Sequence, residues 1–211
     1  MARRSSGNPP GRPKAFCEKE ALHAAVRVFA EKGFGEASLA DLTKAMKINR
    51  FSLYATYGNK EELFVKAMAE FNDIRTQRLS QTLSAPSAQE GIRKLLSDAA
   101  GYFTDLKGLG TCFVTQAPLA ATEVSEKTRR QVADMRASVE KLIRDRLEKA
   151  IKDDELPQET SAADLARFFS VTIQGFALQA QHGGTREEIL RVIDVAMAQW
   201  PKKKSTKIKP R

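Results

Sequence analysis

Apolar residues recur at intervals of three and four positions through most of this 211-residue chain, which is the spacing of one buried helix face. The first such stretch contains four residues at that spacing: Leu22, Ala25, Val26 and Phe29. Gly33 and Gly35 follow, and we expect them to end the helix because glycine is a poor helix former. The pattern therefore predicts a long helix near the start of the chain.

Two short helices are predicted to follow it. Ser38 is a favoured N-cap residue, and the helix that it begins runs to the segment Met46–Ile48, where we expect a tight turn. Asn49 is a second favoured N-cap residue, and the helix behind it is expected to end at Gly58. A longer helix then begins near Lys60.

The rest of the chain repeats the helical pattern. Apolar faces at helical spacing are found in five further segments, at residues 92–103, 111–121, 132–147, 165–176 and 189–200. The sequence shows no alternation typical of a β-hairpin and no βαβ pattern. The predicted fold class is therefore all-α, with about nine helices.

Positive charge is concentrated at the two ends of the chain. Residues 1–14 contain four basic side chains and no acidic one, and residues 202–211 contain six basic side chains and no acidic one. The net charge of the whole chain is +9, yet residues 15–201 carry 25 basic and 26 acidic side chains. Cationic ends suit a polyanion such as nucleic acid, and they are equally typical of solubilising disordered tails.

The two short helices, together with the longer helix before them, are typical of a helix-turn-helix. In that arrangement the second short helix enters the major groove of DNA, and its N-terminal residues reach the base edges. The pattern leaves seven residues exposed there: Asn49, Arg50, Phe51, Ser52, Tyr54, Ala55 and Thr56. A guanidinium can bond guanine at two atoms, a phenylalanine ring can contact a thymine methyl, and hydroxyl groups bond phosphate oxygens.

Residues 11–68 resemble the N-terminal domain of the TetR/AcrR-type bacterial transcriptional regulators. The resemblance is carried by GRPKAF, by AVRVFAEKGFGEASLADLTKAMKIN and by SLYATYGNKEEL. It implies an all-α homodimer, with three DNA-binding helices and a larger C-terminal domain that holds an inducer pocket and the dimer interface. The expected segments are a disordered basic arm at 1–14, a helix-turn-helix domain at 15–60, a regulatory domain at 61–201 and a disordered basic tail at 202–211.

The resemblance implies a role for each matching position. Phosphate contacts are expected at Ser38, Tyr54, Thr56 and Lys60. Arg50 and Phe51 fall where the family reads bases, next to the exposed N-cap residue Asn49. Arg12 and Lys14 lie where arms of the family reach the minor groove. Tyr57 takes a position usually held by a phenylalanine that packs under the recognition helix, so packing is the expected role.

Three positions depart from the family pattern. Lys47 stands in the turn where glycine is usual, and a lysine at positive φ costs about 1 kcal/mol. The turn is then either reshaped, or Lys47 adds a phosphate contact. Phe51 replaces a small residue or proline and either reads bases or hinders docking. Cys17 replaces a capping aspartate, and cysteine caps poorly.

The regulatory half is expected to contain an apolar inducer pocket and a helical dimer interface. Candidate pocket residues are Phe64, Phe71, Tyr102, Phe103, Cys112, Phe113, Gln116, Gln174 and Phe176. Candidate interface residues are Phe168, Phe169, Thr172, Gly175, Phe176, Ile189, Val192, Ile193, Ala196 and Trp200. For both sets, ordinary packing in the core of one protomer is the alternative.

The predicted function is a ligand-responsive repressor that binds a near-palindromic double-stranded operator as a homodimer in the cytoplasm. An activator of the same family and a nonspecific architectural DNA-binding protein are the alternatives. An enzyme is not expected, because the sequence contains no GxSxG, P-loop, HExxH or cysteine–histidine constellation. No cofactor or metal is predicted from two cysteines and two histidines, although Cys112 could serve as a redox switch.

Overall fold

A computed structural model describes residues 17–105 and 125–203, and these residues form eight α-helices without a strand. The helices are α1 Glu18–Glu36, α2 Leu39–Met46, α3 Arg50–Tyr57, α4 Lys60–Leu83, α5 Ala88–Asp105, α6 Glu126–Lys152, α7 Ala162–Gln181 and α8 Arg186–Ala198. The all-α prediction is confirmed. The helix expected at residues 111–121, the arm at 1–14 and residues 204–211 of the tail lie outside the described residues.

The predicted start signals of the short helices are present as real caps. Ser38 Oγ accepts a hydrogen bond from the Asp41 amide at 3.1 Å, and the Asp41 carboxylate accepts one from the Ser38 amide, which completes a capping box. Asn49 Oδ1 accepts from the Ser52 amide at 2.8 Å. Helix α1 has no such cap, because the side chain of Cys17 makes no capping hydrogen bond.

Glycine 33 interrupts α1 without ending it. Its φ of 75° and ψ of 174° are non-helical, so the backbone bends there, and one further turn continues to Glu36. The bend brings Phe34 beside Phe29 and Phe64. The ring centre of Phe64 lies 5.0 Å from that of Phe34 and 5.1 Å from that of Phe29. This aromatic cluster (Phe29, Phe34 and Phe64) is the centre of the core between α1 and the first half of α4.

Helix α4 is 24 residues long and connects the short helices to the rest of the chain. Its first half carries Leu63, Ala67 and Met68 against α1, and its second half packs against α5 and α6. One continuous helix therefore belongs both to the packing unit of α1–α3 and to that of α5 and α6, and it follows α3 after Gly58 and Asn59. Within the described ranges no helix has the length and apolarity required to cross a membrane.

A second link joins the two packing units at the start of α6. Glu61 Oε1 accepts hydrogen bonds from the Ser125 amide at 2.9 Å and from Thr128 Oγ1 at 2.5 Å. Hydrogen bonds from the side chains of Ser125 and Thr128 and from the Ser125 amide lower the pKa of Glu61, so the carboxylate stays ionised at the helix N-terminus. Thr128 is buried although it is polar, which fits its role in this link.

Candidate nucleic-acid interface and ligand cavity

Helix α3 is held on one side and exposed on the other. Leu53 is fully buried and Tyr57 is buried beneath α1, whereas Arg50, Phe51 and Tyr54 lie at the surface. The exposed fraction of Phe51 is 82% and that of Tyr54 is 49%. An exposed phenylalanine of this degree has no packing role in the protomer. The face of α3 that carries these three residues, here called the reading face, is therefore free to meet a partner.

Tyr57 anchors the far end of α3. Its hydroxyl donates a hydrogen bond to the Glu18 carbonyl at 2.8 Å, and burial, with a smaller effect of the Glu18 and Cys17 charges, raises the pKa of Tyr57 to about 12. This is the packing role expected for Tyr57. Tyrosine differs from the usual phenylalanine by this hydroxyl, which is hydrogen-bonded to the first turn of α1. Its burial therefore carries no penalty for an unsatisfied hydrogen-bonding group.

Two lysines fix the chain around α3. Lys60 Nζ donates to the Gly35 carbonyl at 3.0 Å and lies 4.8 Å from the Phe34 ring centre, so its charge is placed between α1 and the start of α4. Lys66 Nζ donates to the carbonyls of Thr56 and Tyr57 at 3.2 Å each. Sequence reasoning missed Lys66, and the available signal was a basic residue that follows a helix end with unbonded carbonyls.

An ion pair ties α2 to α1. Lys32 Nζ lies 2.7 Å from Asp41 Oδ1, and the same carboxylate accepts a hydrogen bond from Ser38 Oγ at 2.7 Å. The hydrogen bonds from Lys32 and Ser38 lower the pKa of Asp41 to about 2. The hydroxyl of Ser38 is already committed to this cap, and its expected phosphate contact stays a prediction.

The turn between α2 and α3 keeps the left-handed conformation despite its lysine. Lys47 has φ 54° and ψ 39°, and the amides of Lys47 and Ile48 donate to the carbonyls of Lys44 and Thr43 at 3.3 and 3.1 Å. The side chain of Lys47 is exposed. The backbone is thus not reshaped, and the strain of a non-glycine residue at positive φ is retained.

Replacing Lys47 with glycine is expected to raise the free energy of unfolding by about 0.5–1 kcal/mol, because glycine adopts positive φ without strain. Urea unfolding followed by circular dichroism measures the change. Lys44→Gly is the matched control, since Lys44 lies within α2 and glycine there should lower stability by a similar amount. Two changes of the same sign would contradict the assignment of strain to Lys47.

A cavity of about 470 Å³ lies between α4, α5, α6 and α7. Its lining residues are Phe71, Ile74, Arg75, Arg78, Leu79, Thr82, Leu95, Asp98, Ala99, Tyr102, Phe103, Val139, Ser170, Ile173 and Gln174. Four of the predicted pocket residues are among them: Phe71, Tyr102, Phe103 and Gln174. The volume falls within the range of small-molecule sites, which is about 300–1,000 Å³.

The remaining predicted pocket residues lie elsewhere. Phe64 belongs to the aromatic cluster with α1 and does not line the cavity. Phe176 is buried in α7 and does not line the cavity either. Cys112, Phe113 and Gln116 are outside the described residues. Sequence reasoning missed the charged lining residues because charged side chains are usually at the protein surface.

The candidate interface residues divide into two groups. Phe169, Phe176, Ile189, Ile193, Ala196 and Trp200 are buried within the protomer. Phe168, Gly175 and Val192 are exposed, and Thr172 is half-buried. The exposed group continues through apolar residues that were not predicted, of which Val171, Leu178 and Val195 are 60%, 53% and 67% exposed. A side chain added at Gly175 would meet nothing within 4 Å in the same protomer.

In the part of the chain that the structure describes, no three or more histidine, cysteine, aspartate and glutamate side chains are grouped so that they could hold a metal ion. The site that the geometry does define is a helix-turn-helix with an exposed second helix, which is the architecture of a DNA-binding protein. Residues 21–67 match the family model described as bacterial regulatory proteins of the tetR family, and residues 88–196 match the one described as the tetracyclin repressor-like C-terminal domain. The chain belongs to the TetR family of DNA-binding transcriptional regulators.

Solved structures and curated relatives agree with this membership. A double cysteine mutant of the TetR family regulator CifR, in complex with 26-base-pair operator DNA, is 37% identical with a TM-score of 0.84, over 90% of this chain and all of that chain. A TetR-type regulator from Rhodococcus sp. RHA1 is 31% identical with a TM-score of 0.58, over 88% of this chain and all of that one. The transcriptional repressor ComR of Escherichia coli K12 is 25% identical over 90% of this chain and 92% of that protein.

Proposed function

We propose that this protein is a ligand-responsive repressor that acts in the cytoplasm and binds a near-palindromic operator as a homodimer. The observation that carries the proposal is the reading face of α3, which exposes Arg50, Phe51 and Tyr54 while Leu53 and Tyr57 hold the helix in place. The operator DNA bound by CifR and the repressor activity named for ComR support the same function in this chain.

The contacts to DNA follow from the position of each side chain. At the exposed N-terminus of α3, Arg50 and Phe51 read bases, because the N-terminal residues of a recognition helix reach the groove floor. Phosphates are contacted by residues at the edges of that helix and next to it: Ser38, Lys47, Asn49, Tyr54, Thr56 and Lys60. Arg12 and Lys14 reach the adjacent minor groove from the basic arm.

Residues 15–60 form the DNA-binding domain in this proposal, and residues 61–201 form the domain that binds ligand and dimerises. The dimer interface is a largely apolar stripe on α7 and α8, which consists of the half-buried Thr172 and the exposed residues Phe168, Val171, Gly175, Leu178, Val192 and Val195. The spacing along α7 keeps these residues on one face. Gly175 allows the backbone of the partner to approach closely, since its place is open.

Ligand binding reaches the reading face through α4. The cavity is lined by the second half of α4, whereas the first half holds the aromatic cluster and follows α3 directly. Glu61 adds a second connection, because it binds the start of α6, a helix that also lines the cavity through Val139. A ligand that prefers one arrangement of α4 and α6 therefore changes the spacing of the two reading faces in the dimer.

The test is fluorescence anisotropy with DNA from the upstream region of the protein's own gene and with random DNA of equal length. Arg50→Ala is expected to weaken operator binding by about tenfold or more, with little change for random DNA, because a base contact is lost. Tyr54→Phe removes one hydroxyl and should weaken binding to both DNAs by a smaller factor.

Arg130→Ala is the matched control. Arg130 is an exposed arginine on α6 whose partner among the described residues is Glu126 one turn away, so its loss should leave the affinity for both DNAs unchanged. If wild-type protein binds the upstream DNA no more tightly than random DNA, or if Arg50→Ala behaves like Arg130→Ala, the proposed reading face is incorrect.

A further inference from the structure

The cavity presents charge on one side of an otherwise apolar lining. Helix α4 contributes Phe71, Ile74, Arg75, Arg78, Leu79 and Thr82, which are spaced three and four residues apart on one face. Helix α5 contributes Leu95, Asp98, Ala99, Tyr102 and Phe103 at the same spacing. Among the described residues of this lining, two arginines and one aspartate are charged.

Arg75 is largely occupied by protein groups. Its Nη2 donates to Asn72 Oδ1 and to the Met135 carbonyl at 2.9 Å each, and its guanidinium lies 6.0 Å from the Phe71 ring centre. Ser138 Oγ completes the group with a hydrogen bond to Asn72 Oδ1 at 3.1 Å. This arginine therefore joins α4 to α6, and its geometry is explained by the fold.

Asp98 is occupied as well. Its carboxylate accepts hydrogen bonds from Lys94 Nζ at 2.8 and 3.0 Å, and it accepts a longer one from Thr82 Oγ1 at 3.4 Å. The negative charge of Asp98 is thus paired with a lysine one turn earlier on α5. It offers little to a cationic ligand, because a second cation would have to compete with Lys94.

Arg78 differs from both. Among the described residues it makes no hydrogen bond and no ion pair, although it lines the cavity one helical turn from Ile74 and from Thr82. Its side chain is exposed, so it lies where the cavity meets solvent. A guanidinium at the mouth of an apolar cavity is suited to a carboxylate, which it can bind through two parallel hydrogen bonds.

The other lining residues provide room for an apolar body. Phe71, Tyr102 and Phe103 bring aromatic rings together, and Leu95, Val139 and Ile173 add aliphatic groups from three helices. Ser170 and Gln174 on α7 add polar side chains to the lining, and Gln174 Nε2 donates a hydrogen bond to Ser170 Oγ at 3.5 Å. An apolar chain or ring placed here is removed from water on several sides.

We infer that the ligand of this cavity is an anionic amphipath, a small molecule with a carboxylate at Arg78 and an apolar chain or ring between Phe71, Tyr102 and Phe103. The inference deepens the proposed function, since it rests on the cavity being the inducer site. It excludes amines, because the free charge at the mouth is positive. It ranks neutral alcohols of equal length as weaker ligands, because they bury the same apolar area without the ion pair.

The experiment is isothermal titration calorimetry of the full-length protein with three probes of equal chain length: octanoate, octanol and octylamine. Octanoate is expected to bind about tenfold more tightly than octanol, and octylamine more weakly than both. In Arg78→Gln the affinity for octanoate should fall to that for octanol, while the octanol affinity is unchanged because the apolar lining is intact. Arg130→Gln, a change of the same type on the outer surface of α6, should leave all three affinities as in the wild type.

Three results overturn the inference: no probe binding below about 1 mM, octanol or octylamine binding as tightly as octanoate, or a preference for octanoate that survives in Arg78→Gln. Anisotropy with operator DNA and octanoate separates this inference from the proposed function. Binding of octanoate without release of DNA would uphold the ligand class and refute the inducer role. Release of DNA by octanol but not by octanoate would uphold the inducer role and refute the ligand class.

Discussion

Replacing Phe64 with alanine is expected to lower the free energy of unfolding by about 3–5 kcal/mol, which is the usual cost of removing a buried phenylalanine ring. The ring of Phe64 is in edge contact with Phe29 and Phe34 at 5.1 and 5.0 Å, and it is 2% exposed. Because the ring of Phe64 packs against two rings of α1, its removal leaves a cavity between α1 and α4. Urea unfolding followed by circular dichroism measures the loss.

Phe51→Ala is the matched control, because it makes the same chemical change at a ring that is 82% exposed. Stability should change by no more than about 0.5 kcal/mol, whereas operator affinity should fall if Phe51 reads bases. The main loss is therefore in stability for Phe64→Ala and in operator affinity for Phe51→Ala. Equal losses of stability would contradict the exposure of α3, and a stable Phe64→Ala variant would contradict the aromatic cluster as the centre of this core.

The helix-turn-helix could be predicted closely because its signals are local. Ser38 and Asn49 are caps that bond within three residues, and Gly58 ends α3 where expected. The packing role of Tyr57 could be predicted because the resemblance puts a buried phenylalanine at its position, and its spacing from Leu53 puts both residues on one face of α3. The sequence located Lys47 in the turn. It could not predict that Lys47 keeps the left-handed backbone, because a strained turn and a reshaped turn were both compatible with the sequence.

The regulatory half was less predictable because its helices are apolar on more than one face. Helix α7 carries Phe168 and Phe169 side by side, and adjacent residues point in directions about 100° apart. The ring of Phe168 faces outward at 41% exposure, and that of Phe169 is buried against Trp200. Packing against the neighbouring helices determines which of the two rings is buried. The position of Phe64 has the same explanation, since α4 turns its first half towards α1 and only its second half towards the cavity.

Distant ion pairs were also beyond sequence reasoning, and one of them organises four segments. Arg146 on α6 donates from Nε to the Leu83 carbonyl at 3.0 Å and from Nη2 to the Glu155 carboxylate at 3.0 and 3.3 Å. Glu155 in turn accepts from the Ala88 amide at 2.6 Å. Arg146 and Glu155 thereby provide hydrogen-bond partners for a carbonyl in the last turn of α4 and for an amide in the first turn of α5.

Arg146→Ala is therefore expected to lower the free energy of unfolding by about 2–4 kcal/mol, as measured by urea unfolding. The side chain of Arg146 is only 10% exposed, so its removal leaves a carbonyl and a carboxylate in poor contact with water. Arg93→Ala is the matched control. Arg93 and Asp194 form a pair of nearly equal length, 2.9 Å, but their side chains are 51% and 71% exposed, and a loss of no more than about 1 kcal/mol is expected.

The pH dependence of the Arg146→Ala effect gives a second test with a fixed sign. Burial raises the pKa of Glu155, but the hydrogen bonds from the Ala88 amide and from Arg146 outweigh it, and the pKa lies below its ordinary value of 4.5. A carboxyl group with a lowered pKa stabilises the fold above its unfolded pKa, and that contribution is lost as the pH falls. Without Arg146, the rise that burial causes in the pKa of Glu155 is less opposed, so that pKa is lowered less. The free energy of unfolding of the variant therefore falls less on acidification. The stability difference between wild type and Arg146→Ala should consequently narrow as the pH falls below about 4.5, and a difference that widens would show that the ion pair is not its cause.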